Sequence, residues 1–136
     1  MEYKNMGYSA LDCRLPGNKG MDHVYVKYGA DGTTVADIVV IESKYATGGG
    51  APRLARTDDK VQQLSNAWFK KQRDILYKTE QHPELLRMLE SNPDKIRFKA
   101  NVLDETGVNK WYDYGKFDSN NIDIRDAVRT PKPSGE

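Results

Sequence analysis

The sequence predicts an α/β (α+β) domain, because segments with strand composition alternate with segments of helical periodicity. Runs rich in β-branched and aromatic residues occupy 24–28, 35–45, 96–103 and 110–114. Apolar residues recur at helical spacing within 58–78, and a second helical segment, ELLRMLESN, begins behind Pro83. A chain of 136 residues with 38% hydrophobic content suits one domain with its own core. We therefore expect a single domain over 1–130 and a flexible tail over 131–136.

The first two strands are predicted to form a β-hairpin. The segment GADGT separates VYVKY from the longer run VADIVVIESKY, and its two glycines favour a tight turn. In an antiparallel pair, the sequence numbers of two facing residues always have the same sum, and the position of this turn sets that sum at about 63. Asp22 would then face Ile41 or a neighbour of Ile41. The hairpin thus carries Asp22 to the strand end where Glu42 and Lys44 lie.

Capping residues and chain breakers predict the helix boundaries. Thr57, followed by two aspartates, suits the N-cap and first turn of a helix that extends to Lys78. The apolar stripe of this helix comprises Val61, Leu64, Trp68 and Ile75. The glycine-rich segment before it, TGGGAPRLARTDD, is predicted to be a mobile basic loop. The opening residues, MEYKNMGYSAL, suit a short helix, and 123–129 suits a last helical turn or two.

Charge and composition narrow the function classes. The 21 basic and 20 acidic residues nearly cancel, so a nucleic-acid site would have to be a local basic patch. The single cysteine, Cys13, allows neither an internal disulfide nor a cysteine-rich zinc site. No segment has the length and hydropathy of a membrane span, and the N-terminus lacks a signal-peptide pattern.

The candidate catalytic group lies at the end of the second strand. Glu42 and Lys44 share the strand face of Ile38 and Val40, and the hairpin adds Asp22. Two carboxylates suit a hard cation such as Mg²⁺ (or Mn²⁺), and a nearby lysine suits the orientation of water or charge balance on a phosphate. Burial of such charges costs several kcal/mol, which favours a functional reason for them. The plain alternative is a salt bridge at a strand edge.

Three segments resemble the restriction-endonuclease-like fold of the PD-(D/E)XK nuclease superfamily: GNKGMDHVYV, DIVVIESKY and QLSNAW. More narrowly, the sequence is similar to C-terminal nuclease toxin domains of bacterial polymorphic toxins, of the rearrangement-hotspot and contact-dependent-inhibition types. The resemblance covers about residues 7 to 117. It implies a core with a central mixed β-sheet flanked by helices and a metal-dependent endonuclease activity, with DNA as the expected substrate and RNA as a further one.

The resemblance also assigns roles to residues. Asp22 and Glu42 match the metal-binding acids, Lys44 matches the catalytic lysine, and Gln63 and Ser65 match polar positions on a flanking helix. Met21 stands where the superfamily motif has proline, and Glu2 is the only candidate for an acid on the first helix. A toxin domain of this kind implies a cognate immunity protein, and secretion with delivery into the cytoplasm of a target cell.

Other interpretations of individual residues stay open at this point. Arg53 and Arg56 in the basic loop suit phosphate contacts or simple solvation, and Trp68 suits the core more than base stacking. Asp37 is a possible substitute for one of the two metal-binding acids, although strand alternation places it on the sheet face opposite to that of Glu42. Gln63 suits either a helix surface or a contact at the site's edge, and Ser65 suits a small buried filler.

Two other function classes compete with the metal-dependent nuclease. The first is a metal-independent ribonuclease with His23 and His82 as acid and base, although parity places His23 on the face opposite Asp22. The second is a catalytically inactive domain of the same fold that binds a nucleic acid or a protein partner.

Overall fold

The computed structural model describes residues 2–13, 15, 21–45, 64, 66–118 and 128–130. Its elements, in chain order, are α1 (Glu2–Asn5), β1 (Ser9–Leu11), β2 (His23–Tyr28), β3 (Val35–Tyr45), α2 (Asn66–Thr79), α3 (Pro83–Ser91), a 3-10 turn (Pro93–Lys95), β4 (Ile96–Leu103), β5 (Asn109–Lys116) and β6 (Val128–Thr130). The α+β class that the sequence predicts is therefore confirmed, as is the hairpin of β2 and β3.

The strands form one mixed sheet in the order β1-β2-β3-β4-β5, which β6 extends by three residues at the β5 edge. All neighbours pair antiparallel except β3 and β4, which run parallel. Parallel neighbours need a crossover connection, and α2 and α3 lie in the connection between these two strands. Both helices pack against one face of the sheet.

The larger core lies between that sheet face and the two helices. The side chains of Ile38 and Val40 on β3 pack with Phe98 on β4, and all three are fully buried. From α2, the Phe69 ring meets the Phe98 ring at a centroid distance of 5.4 Å. Trp68 is 1% exposed and belongs to this core, as its helical spacing predicts. Because successive strand residues alternate between faces, Glu42 and Lys44 project toward the same side as Val40.

The opposite sheet face carries a smaller, aromatic core. Tyr3 from α1 stacks on Tyr25 of β2 with a centroid distance of 5.6 Å and meets Trp111 of β5 edge to face at 5.8 Å. Tyr8, Val39 and Ile41 complete this cluster. The short helix predicted at the chain start is confirmed, and its single buried tyrosine is what ties it to the sheet.

Two predictions of local structure are wrong. The helix predicted from 58 to Lys78 is not continuous, because Leu64 has φ 63°, a left-handed conformation that no α-helix contains, and α2 begins at Asn66. Leu64 is nevertheless fully buried in the larger core, so its apolar character reflects packing from a turn. At the other end, strand β6 covers residues 128–130, and its first two residues belong to the segment 123–129 for which helical turns were predicted; pairing with β5 satisfies their backbone.

The remaining parts of these predictions fall outside the described residues. They include the N-cap at Thr57, Val61 of the predicted stripe, the loop over 47–59, 123–127 and the tail over 131–136. None of the helices in the described part of the chain has the length and hydropathy to cross a bilayer.

Replacing Glu80 with glycine is expected to stabilise the fold. Glu80 follows α2, has φ 55°, and its backbone N–H donates to the carbonyl oxygen of Leu76 at 3.1 Å, an arrangement that favours glycine. The expected gain in the free energy of unfolding is about 0.5–1 kcal/mol, or roughly 3 °C in Tm. Thermal unfolding measures it, beside Arg87→Gly in the middle of α3, which should lose about 1 kcal/mol. A Glu80→Gly variant with a lower Tm than the parent would contradict the idea that the positive φ of Glu80 strains the backbone.

Candidate active site

The β2–β3 hairpin brings two carboxylates together where the sheet pairing ends. His23 pairs with Ile41, so the preceding residue, Asp22, stands opposite Glu42. The Asp22 backbone N–H donates to Glu42 Oε2 at 2.8 Å, and the Ser43 backbone N–H donates to Asp22 Oδ2 at 2.9 Å. Each carboxylate is thus fixed by a backbone donor of the other strand. Asp22 was predicted to face Ile41 or a neighbour of Ile41, and this prediction is confirmed, as is the predicted neighbourhood of Asp22 and Glu42.

Glu42 is a fully buried acid. It is 0% exposed, and its partner in the parallel register on β4 is Ala100, which is equally buried. Burial raises the pKa of Glu42 to about 8, and the negative charge of Asp22 adds to that rise. The Asp22 backbone N–H and the positive charge of Lys44 act in the opposite direction without cancelling it. Near neutral pH and without a cation, this carboxyl therefore holds its proton.

Lys44 completes the group from the same strand. It lies two residues after Glu42, pairs in register with Val102 of β4, and is half-buried. Its ammonium is close enough to stabilise the charged form of the Glu42 carboxylate. Asp22, by contrast, is exposed. The arrangement thus has a buried acid at its base, an exposed acid beside it and a cation two residues along the strand.

The two acids have the chemistry of a hard-cation site. Their side chains lie within hydrogen-bonding range of each other, a contact that itself raises the pKa of Glu42. A divalent cation held by these two carboxylates would take the place of the Glu42 proton and offset the repulsion between the two negative charges. Among the described residues, no group of three or more acidic, histidine or cysteine side chains is arranged to hold a metal ion. A cation bound by Asp22 and Glu42 would need water, backbone carbonyls or a substrate phosphate as its other ligands, as is usual for Mg²⁺.

Cys13 packs close to these acids without joining them. Its thiol donates to the Met21 carbonyl oxygen at 3.2 Å and is 3% exposed. Burial, followed by the charges of Asp12 and Glu42, raises the thiol's pKa to about 11. Cys13 is therefore a protonated core residue.

Several predicted site residues cannot be placed. Gln63, Ser65, Arg53 and Arg56 lie outside the described residues. Glu2 begins α1, and its side chain is also outside that part of the chain.

Asp37 does not belong to the site. As its parity predicts, it lies on the other sheet face, where Arg97 Nε donates to its Oδ1 at 3.0 Å and the Tyr8 hydroxyl donates to its Oδ2. Burial opposes ionisation here, but the bonds from Arg97 and Tyr8 hold the pKa of Asp37 below its usual range. Asp37 is thus a structural ion-pair partner.

The two histidines line different cavities. The His23 ring lies beside the Tyr25 ring, at a centroid distance of 6.1 Å, in a cavity that also contains Asp22. His82 precedes α3 with φ 55° and lines a neighbouring cavity of about 410 Å³. The two cavities share Leu11 and Asp12, and each holds one of the histidines, so the acid–base pairing of His23 and His82 stays a prediction.

Sequence reasoning missed three polar residues of interest. Asn66 and Gln72 are buried on α2, and Asn66 Oδ1 accepts from the Asp118 backbone N–H at 2.9 Å, which ties the helix start to the end of β5. Gln72 follows Trp68 by four residues, so helical periodicity could have placed it inward. Asp12 lines the same cavity as Asp22, and no sequence pattern signals it.

No family model, curated protein or solved structure matches this chain, so the geometry around Asp22 and Glu42 carries the functional argument.

Proposed function

We propose that this domain is a divalent-metal-dependent nuclease that hydrolyses phosphodiester bonds, with DNA as its expected substrate. The observation that carries the proposal is the pairing of buried Glu42 with exposed Asp22 at the end of β3, with Lys44 on the same strand face. A buried acid with a strongly shifted pKa, beside a second acid, is characteristic of a functional site. The mixed sheet with crossover helices is also compatible with the restriction-endonuclease-like architecture that the sequence resemblance implies.

The roles of the residues follow from their positions. Asp22 and Glu42 would hold Mg²⁺ or Mn²⁺, and Glu42 would lose its proton when the cation binds. The bound cation would supply a more acidic water and neutralise charge that develops on the phosphate. Lys44 would orient the attacking water or stabilise the same phosphate charge through its ammonium.

The biological setting is part of the same proposal and rests on the resemblance. The domain would act as an interbacterial toxin in the cytoplasm of a target cell, and a cognate immunity protein would neutralise it. Hydrolysis by a metal-activated water needs no 2′-hydroxyl, so the same arrangement can act on DNA and on RNA. RNA is therefore the second substrate to be tested.

The test is incubation of the purified chain with supercoiled plasmid and with structured RNA, in Mg²⁺, in Mn²⁺ and in EDTA. We expect nicking that requires the divalent cation and is lost in Asp22→Ala. Lys95→Ala, an exposed lysine outside the site, serves as the control and should cleave like the parent. Tight duplex binding without cleavage in either metal would show an inactive binding domain instead. Cleavage that persists in EDTA would remove the metal from the mechanism.

A further inference from the structure

A second lysine lies in register with the candidate active site, two strands away from it. Val102 of β4 pairs with Lys44 of β3 on one side and with Lys110 of β5 on the other. Residues that pair in register point to the same sheet face, so both lysines project toward the face on which Glu42 lies. Neighbouring strands are about 4.8 Å apart, which separates the backbones of the two lysines by roughly 10 Å. Lys44 and Lys110 thus form one row across the sheet.

The proposed metal site lies at the β2 side of this row. Asp22 stands opposite Glu42 at the end of the β2–β3 pair, and β4 and β5 follow β3 in the sheet. A polyanionic strand that crosses the strand ends in this direction would meet the cation, then Lys44, then Lys110. Because a lysine carries its charge on a flexible four-carbon stem, each ammonium can contact a phosphate oxygen of its own. The separation of the two lysines therefore suits two phosphates of one strand.

The salt bridge between Lys110 and Asp104 is loose. Lys110 Nζ lies 3.6 Å from Asp104 Oδ2, which is longer than a hydrogen bond. The other carboxylate oxygen, Oδ1, accepts from the backbone N–H groups of Thr106 and Val108 at 2.9 and 3.0 Å. Asp104 is thus fixed by the turn between β4 and β5. The ammonium of Lys110 can therefore donate to a phosphate oxygen without losing a hydrogen bond to Asp104.

Partial burial prepares Lys110 for such a contact. Its side chain is 14% exposed, so it loses less rotamer freedom on binding a phosphate than a fully exposed lysine does. Lys44 is half-buried in the same row. Two lysines with restricted side chains hold a strand in a more defined position than two mobile ones.

We propose that Lys110 binds the phosphate next to the scissile one, so that the substrate strand crosses the sheet end from the metal site over Lys44 to Lys110. This contact is independent of base sequence, because phosphate oxygens carry no base information. It fixes the position of the strand while the cation and Lys44 act on the reacting phosphate. The inference rests on the proposed nuclease function and adds a phosphate subsite to it.

Salt-dependent binding of a labelled single-stranded oligonucleotide, as DNA and as RNA, tests the contact by fluorescence anisotropy in EDTA. Each phosphate contact adds about 0.7 to the steepness of log K against log salt concentration for a single strand. Lys110→Gln should reduce this slope by about 0.7 and weaken binding roughly five- to tenfold at low salt. Lys116→Gln changes an exposed lysine at the other end of β5 and should bind like the parent. An equal loss in both variants would show general charge attraction and overturn the subsite.

Asp104→Asn separates phosphate binding from a purely structural ion pair. Asparagine keeps an oxygen for the N–H groups of the turn and removes the negative charge that lies 3.6 Å from Lys110 Nζ. Its affinity for the oligonucleotide should therefore rise, by about two- to threefold. An Asp104→Asn variant that binds as weakly as Lys110→Gln would mean that the lysine acts only through its ion pair, which overturns the subsite.

Cleavage kinetics distinguish this proposal from the nuclease proposal. In Mg²⁺, Lys110→Gln should raise KM roughly five- to tenfold and keep kcat within about twofold, because the contact is the same in the ground and transition states. Metal-dependent cleavage with an unchanged KM and salt slope in Lys110→Gln overturns the subsite and leaves the nuclease standing. A reduced salt slope in Lys110→Gln, with no cleavage by the parent in either metal, supports the phosphate contact and refutes the nuclease. A parent that binds neither oligonucleotide overturns the subsite.

Discussion

Glu42→Gln is expected to reduce metal-dependent cleavage of plasmid DNA by roughly 10²–10⁴-fold without unfolding the domain. Glutamine retains the size of Glu42 and an oxygen that can accept from the Asp22 backbone N–H, so the hairpin end should keep its geometry. What the amide lacks is the negative charge that a divalent cation needs in a buried position. The loss should therefore appear in Mg²⁺ binding, measured by calorimetry, as well as in the cleavage rate.

Lys44→Ala provides the informative comparison. Lys44 does not offer a metal ligand, so its removal should lower the cleavage rate by about 10²-fold or more while calorimetry still detects cation binding. The control is Lys95→Ala, with a cleavage rate equal to the parent's. If Glu42→Gln cleaves as fast as the parent, Glu42 is a structural acid and the metal site is wrongly assigned. If Lys44→Ala cleaves as fast as the parent, the only role of the lysine is to balance the charge of Glu42.

The sequence predicted the local part of the site because a hairpin is a local structure. A tight turn fixes the register of two neighbouring strands, and strand alternation fixes which face each residue takes. These two rules were enough to place Asp22 beside Glu42 and to direct Glu42 toward the core, where it is fully buried. The sum of paired residue numbers is 63 at Tyr28 and Val35 and becomes 64 beyond the irregular pairing between Lys27 and Tyr28, a shift that turn residues alone do not reveal.

Contacts that depend on tertiary packing were not predictable in this way. Leu64 matches the helical stripe in sequence but adopts φ 63° in a turn, because burial against the sheet overrides local periodicity. Asp12 lies just after β1 and Asp22 just before β2, and the antiparallel pairing of these strands, which brings both residues to one cavity, has no signal in the composition. Strand β6 likewise forms by pairing with β5 rather than by its own propensity.

The metal-free domain is expected to lose stability as the pH rises from 5 to 8, more steeply than Glu42→Gln does. Burial and the charge of Asp22 raise the pKa of Glu42 from 4.5 to about 8 in the folded chain. Between these values the folded state holds a proton that the unfolded state releases, so the stabilisation is complete below about 4.5 and is lost as the pH rises through about 8. The slope that Glu42 adds is at most about 1.4 kcal/mol per pH unit.

Urea unfolding in EDTA at pH 5.5, 7 and 8.5 measures this slope, and the difference between parent and Glu42→Gln isolates Glu42 from all other titrating groups. A divalent cation competes with the same proton, so Mn²⁺ should stabilise the parent more at pH 8 than at pH 6 and should leave Glu42→Gln nearly unchanged. Identical pH slopes for the two proteins would show that Glu42 is ionised in the folded state. Equal stabilisation of both proteins by Mn²⁺ would place the cation away from Glu42, because a cation bound by the Glu42 carboxylate would stabilise only the parent. Only a ligand that must release its proton makes metal binding depend on pH in this way.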